Sequence, residues 1–146
     1  MRNRKADAAQ LAGRVLLCAI FLWSGYGKVT NFAGTQEYME SQGMPFTAVL
    51  LALAIFAELA GGLSLLLGFF TRLGAAGLVL FMAPTTFIFH AFWAVPEEQM
   101  QLQLIMFMKN VSLTGGLLYV AALGAGAFSV DGMLARRSHG GAATAS

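Results

Sequence analysis

The chain has 146 residues, 58% hydrophobic and 11% charged, with a formal net charge of +2. Soluble domains carry roughly 25% charged residues, and three of the four apolar runs lack the polar face a water-exposed helix needs, which argues against a soluble all-α core. The basic residues form no separate domain, which argues against a nucleic-acid partner.

Residues 1–10 form a basic N-terminus carrying Arg2, Arg4 and Lys5. An apolar run follows over 11–27, as in a signal peptide. No small-x-small cleavage site follows Trp23, where the chain reads "SGYGKVTNF", so a retained first helix is expected. Trp23 and Tyr26 suit the membrane interface. Arg14 enters from the inner side and can snorkel to the headgroups as a cytoplasmic anchor. Cys18 is the single cysteine; it permits no intrachain disulfide and reads as a small buried residue. Lys28 marks the outer end of this helix.

The next segment, "TNFAGTQEYMESQGMPF", has helix signals of its own. Thr30 or Asn31 can cap a start, and Gly43 with Pro45 can end it. Phe32, Gln36 and Met39 share one stripe, and Glu37 and Glu40 another. A short helix lying on the outer surface is expected, with an ordinary structured loop as the alternative. Apolar runs over 46–70, 73–95 and 102–128 each reach the roughly 20 residues that span a bilayer. The tight connection "FFTRLG", with Arg72 as a second cytoplasmic anchor, makes the second and third helices antiparallel neighbours. Pro84 should kink the third helix and free the carbonyl of Leu80. Small residues supply packing surfaces: Ala60, Ser64 and Gly68 are four apart, as are Ser112 and Gly116, and Gly61 adds another. From Asp131 onward the low-complexity composition predicts a disordered cytoplasmic tail over 131–146, with His139 a solvated bystander.

The expected fold is therefore an all-α integral membrane protein. Residues 11–130 form a four-transmembrane-helix antiparallel bundle with a short interfacial helix after helix 1. Arg2, Arg4, Lys5, Arg72, Arg136 and Arg137 fall on one side. The other side holds Lys28 with Glu37, Glu40, Glu97 and Glu98. The positive-inside rule then places both termini in the cytoplasm.

Polar groups inside the runs raise the functional question. At 1.5 Å per residue, Glu58 lies about 18 Å into its run, near the midplane. Lys109 and His90 lie about 10 Å and 8 Å from the outer boundary, in the same half as Lys28. An unpaired charge at the bilayer centre is costly, so a Glu58–Lys109 pair is expected. Gly61 and Gly62 leave room beside it, and Thr86, Asn110 and Ser112 can supply hydrogen bonds. Three readings fit: a structural network that fixes helix pairing, a pocket for a polar-headed apolar ligand such as quinone, or a proton or ion path. A quinone ring needs donors at its carbonyls and a proton source, and Glu58, His90 and Lys109 are of those types. One intramembrane histidine is poor support for haem, and a zinc site lacks ligands. No flavin, nucleotide or metal motif is present, so no cofactor is intrinsic to the chain.

Four segments carry a resemblance: "GRVLLCAIFLWSGYGKV" with Arg14 and Lys28, "AELAGGLSLLLGFFTRLGA" with Glu58 and Arg72, "TFIFHAFW" with His90, and "KNVSLTGGLL" with Lys109 and Gly116. In order and spacing they resemble the DoxX family of small bacterial membrane proteins. The resemblance implies a four-helix inner-membrane protein. Through DoxD-type relatives in thiosulfate:quinone oxidoreductase, it implies partnership with a soluble or membrane oxidoreductase. It supplies no established catalytic residue. The other function class is non-enzymatic: a scaffold, a permeability factor or a small transporter. Beyond the lipid bilayer, the partners in view are that oxidoreductase or further copies of the chain.

Overall fold

A computed structural model describes residues 4–142 of the chain. The helices are α1 (Arg4–Thr30), α2 (Phe32–Ser41), α3 (Thr47–Leu67), α4 (Thr71–Phe89), α5 (Glu97–Leu123) and α6 (Val130–Ala142), with a 3₁₀ turn at Phe92–Ala94 before α5. Four helical spans are long and apolar enough to cross a membrane: Arg4–Thr30, Thr47–Leu67, Thr71–Ala94 and Glu97–Leu123. A helix of 21 residues, such as α3, rises about 31 Å, close to the thickness of a bilayer core. In lipid, apolar side chains need no cover, so Leu16, Phe56, Leu73 and Leu80 lie exposed on the outside of the bundle. α1 packs chiefly on α3, and α4 packs on both α3 and α5. Cys18, Phe21, Leu65, Leu78, Met82 and Leu117 fill the centre. Cys18 is thus a buried small residue, and its thiol donates to the Val15 carbonyl.

α2 forms where a short helix was expected, and Met39 on it is buried. The expected side-chain cap is not made. Thr30 Oγ1 turns back onto the carbonyls of Tyr26 and Gly27, and the Asn31 side chain caps nothing. Gln36 and Thr47 both donate to Glu40 at 2.9 Å. These bonds hold its carboxyl below the usual carboxylate range, and the one from Thr47 ties α2 to the start of α3. α4 runs through Pro84 without ending. The fourth span begins and ends earlier than its apolar run: α5 stops at Leu123, and Gly124 takes φ +84°.

The largest departure lies at the α6 end of the bundle. Arg14 does not snorkel. It is 1% exposed and donates to the Leu65 carbonyl at 2.8 Å and to the Phe128 carbonyl at 2.5 Å. Leu65 belongs to the last turn of α3, whose carbonyls lack helical partners and favour a cation. Asp131 complements this at the start of α4, accepting from the backbone N–H groups of Phe70 and Thr71 at 3.0 Å each. Its own N–H donates to the Gly68 carbonyl at 2.8 Å. Burial pushes the Asp131 carboxyl up, but the bonds from Thr71 and Phe70 and the charge of Arg14 outweigh it and hold it low. Its contribution is present above the ordinary carboxylate pKa and is lost as pH falls through the depressed value.

The segment from Asp131, expected to be disordered, is therefore helical to Ala142 and tied into the bundle at its first turn. Arg2, the side chain of His139 and residues 143–146 lie outside the described residues. Gly68 makes the knot geometrically feasible. It closes α3 with φ +67°, and an added Cβ would collide with Arg14 Nη1 and Ser129 Cβ. Gly68→Ala should cost about 2 kcal/mol or more, from left-handed backbone strain plus overpacking. Gly77→Ala, inside α4 where a Cβ meets nothing within 4 Å, should cost nothing and add up to about 1 kcal/mol. Thermal unfolding of the two purified variants in one detergent checks this.

Candidate functional site

The polar groups at the α2 end converge because α1 and α3 approach closely. Gly25 of α1 sits against α3, where a Cβ would lie 2.7 Å from Leu59 Cδ2 and 3.3 Å from Glu58 Cβ. This close approach presents Ser24 and Lys28, four apart on one face of α1, to Glu58. Lys28 Nζ donates to Glu58 Oε1 at 3.0 Å and Oε2 at 2.9 Å, and to Ser24 Oγ at 2.6 Å. Ser24 Oγ in turn donates to Glu58 Oε1 at 3.0 Å. Glu58 is 4% exposed. Its cation is therefore Lys28, and the expected pairing with Lys109 is not formed. An unpaired carboxylate at this depth costs about 2.5–3.5 kcal/mol on insertion scales, and the two-oxygen contact with Lys28 offsets it.

Beside this triad lies a cavity of about 410 Å³. Its walls are apolar, with Ile20, Phe21, Leu51, Phe81 and Leu113 among them. Its polar lining includes Lys28, Glu58, His90, Lys109 and Asn110, all anticipated, together with Ser24, Thr35, Tyr38 and Thr85, which were not. The Lys109 ammonium faces Met106 Sδ at 3.4 Å. Asn110 is 5% exposed. His90 closes α4, and its Nδ1 lies 2.9 Å from Gln103 Oε1 on α5. With the amide oxygen accepting, Nδ1 carries a proton. Tyr38 brings α2 over the cavity by stacking on Phe89 with ring centroids 5.7 Å apart.

Thr86 is not part of this lining. It is buried, and its hydroxyl donates back to the Met82 carbonyl at 2.7 Å; its neighbour Thr85 lines the cavity in its place. Arg14 and Arg72 sit at the opposite end. Arg72 is exposed and packs near Gly124. Gly61 and Gly116 are packing positions, where a Cβ would meet Leu78 at 2.6 Å and Leu17 at 3.0 Å. Ser24 was legible from its i, i+4 relation to Lys28. Thr35, Tyr38 and Gln103 carried no signal beyond being polar residues near the ends of the spans. Among the described residues, no three His, Cys, Asp or Glu side chains converge as a metal site would need.

Two of the relatives the chain matches are named as inner membrane proteins. The profile of the family described as DoxX matches residues 9–91, which covers Lys28, Glu58 and His90 and stops short of Lys109. Inner membrane protein YqjF of Escherichia coli (strain K12) is 40% identical over 131 residues, 90% of this chain and 95% of that protein. Inner membrane protein YphA of the same organism is 34% identical over 121 residues, 83% of this chain and 86% of that one. A Surfeit locus protein 4 homolog of Schizosaccharomyces pombe is 35% identical over 131 residues, 88% of this chain but 38% of that longer protein. No solved structure matches.

Proposed function

The chain belongs to the DoxX family of membrane proteins, and we propose that it is the quinone-binding membrane subunit of an oxidoreductase system of the bacterial inner membrane. The observation that carries this reading is the cavity itself: an apolar chamber within the spans, with hydrogen-bonding groups along its lining. Such a lining suits a ligand with an apolar body and a ring bearing two carbonyls. Lys109 and Asn110 can donate to a ring oxygen. His90, its Nδ1 held by Gln103, is of the type that passes a proton. The Lys28–Glu58–Ser24 triad satisfies itself and acts as the rigid wall on which these groups are placed. Reducing equivalents come from a partner subunit, since the sequence has no flavin, nucleotide or metal motif.

The charge distribution supports an orientation. Arg4, Arg72, Arg136 and Arg137 gather toward the α6 end, while Glu37, Glu40, Glu97 and Glu98 gather toward the α2 end. The α6 end is then cytoplasmic and the cavity lies in the outer half. The alternative class, a scaffold or small transporter, needs no bound quinone. Lipid extraction of detergent-purified protein followed by mass spectrometry is expected to find quinone in near-stoichiometric amount. Loss of one hydrogen bond to a charged donor is worth about 1.5–3 kcal/mol, so Lys109→Ala should lower retained quinone about tenfold or more. Wild-type protein that carries no quinone when purified from quinone-rich membranes sinks the proposal.

A further inference from the structure

Five titratable side chains line the cavity: Lys28, Tyr38, Glu58, His90 and Lys109. Four of them are accounted for. Lys28 and Glu58 cancel one another's charge, His90 is held by Gln103, and Tyr38 is stacked on Phe89. Lys109 remains. It lies midway along α5, and its Nζ has as its contact the Met106 sulfur at 3.4 Å. A thioether is a weak acceptor. No carboxylate pairs with Lys109 among the described residues, so the charged groups lining the cavity leave one ammonium uncompensated.

We propose that the cavity takes a membrane-soluble amphiphile whose head group is anionic, with Lys109 as its counter-ion. This rests on the cavity being a ligand site, as argued above, and narrows the ligand class to an anionic oxygen on an apolar body: an ionised ring hydroxyl or a carboxylate. An ammonium inside an apolar membrane segment favours an anion over a neutral carbonyl, because the anion restores charge balance as well as the hydrogen bond. Asn110, adjacent on α5 and lining the same space, can donate its amide to the same head group. Glu58 does not repel such a ligand, since both its oxygens are already engaged by Lys28.

A matched pair of probes tests the idea: a 2-alkyl-1,4-naphthoquinone and its 3-hydroxy analogue with the same alkyl chain, the second ionised at neutral pH. Binding of each is measured by calorimetry on the full chain in lipid nanodiscs. The ionised analogue is expected to bind about tenfold or more tightly than the neutral quinone, the margin of a charge-assisted hydrogen bond. In Lys109→Met both probes should bind more weakly, the ionised one by about a further tenfold, so that the preference vanishes, and Lys109→Arg should keep the preference. Equal binding of the two probes to the wild type, or a preference that survives Lys109→Met, overturns the inference and leaves quinone binding intact. Binding of the ionised probe alone supports the inference and counts against a neutral quinone as ligand. Binding of neither overturns both.

Discussion

Lys28→Met is expected to destabilise the folded bundle by about 3–5 kcal/mol, the cost of removing one partner from a buried ion pair. The reason is the state in which it leaves Glu58. That carboxylate is 4% exposed, receives two of its hydrogen bonds from Lys28, and would keep a single bond from Ser24. It must then stay charged without a counter-ion or take up a proton, and either course costs free energy. The discriminating variant is the double one. Lys28→Met with Glu58→Gln removes both charges and should recover most of the loss, because a buried pair often stabilises little beyond a neutral replacement. Thermal unfolding of the wild type, both single variants and the double variant in one detergent completes the cycle. A double variant as unstable as the sum of the single ones would show that the pair is not the unit that matters.

The second large effect is at Arg14. Arg14→Met should cost about 3 kcal/mol or more, since it leaves the carbonyls of Leu65 and Phe128 without a donor in a dry site and removes the charge facing Asp131. Arg14→Lys should rescue little. One ammonium cannot reproduce a planar fork whose two terminal nitrogens reach carbonyls on separate segments, here 51 and 114 residues away in sequence. The loss should appear first as release of α6, read as protease access near Asp131, before the rest of the bundle unfolds. Equal protection of α6 in Arg14→Met and the wild type would refute this account of the knot.

Lipid as solvent makes run length decisive, so the four spans could be read directly, and the need for a cation near Glu58 could be read as well. Which cation it would be could not, because depth along a helix is legible while rotation about its axis is not. Lys28 and Lys109 both stood in range. Side chains lean toward the N-terminus of their helix, so Lys28, at the end of α1, reaches back into the bundle. That lean favoured it. The buried face of α1 is Arg14, Cys18, Phe21 and Gly25, spaced four, three and four apart, which is one helical stripe. Arg14 therefore belonged to the packed side from the outset. Reading it as a snorkelling residue weighed its charge and neglected its register. For α6, composition suggested disorder, and nothing local reveals that Asp131 serves the first turn of a helix some 60 residues earlier.

The Arg14 knot also sets an order of events at the ribosome. The guanidinium is synthesised near the start, yet its second acceptor is the carbonyl of Phe128, which emerges after all four spans. Until then the first span carries a charge whose final seat does not exist, and a nascent chain can hold it only at the water boundary. The stretch that follows the fourth span therefore acts as a latch: it draws the arginine off that boundary and locks the first span against the second.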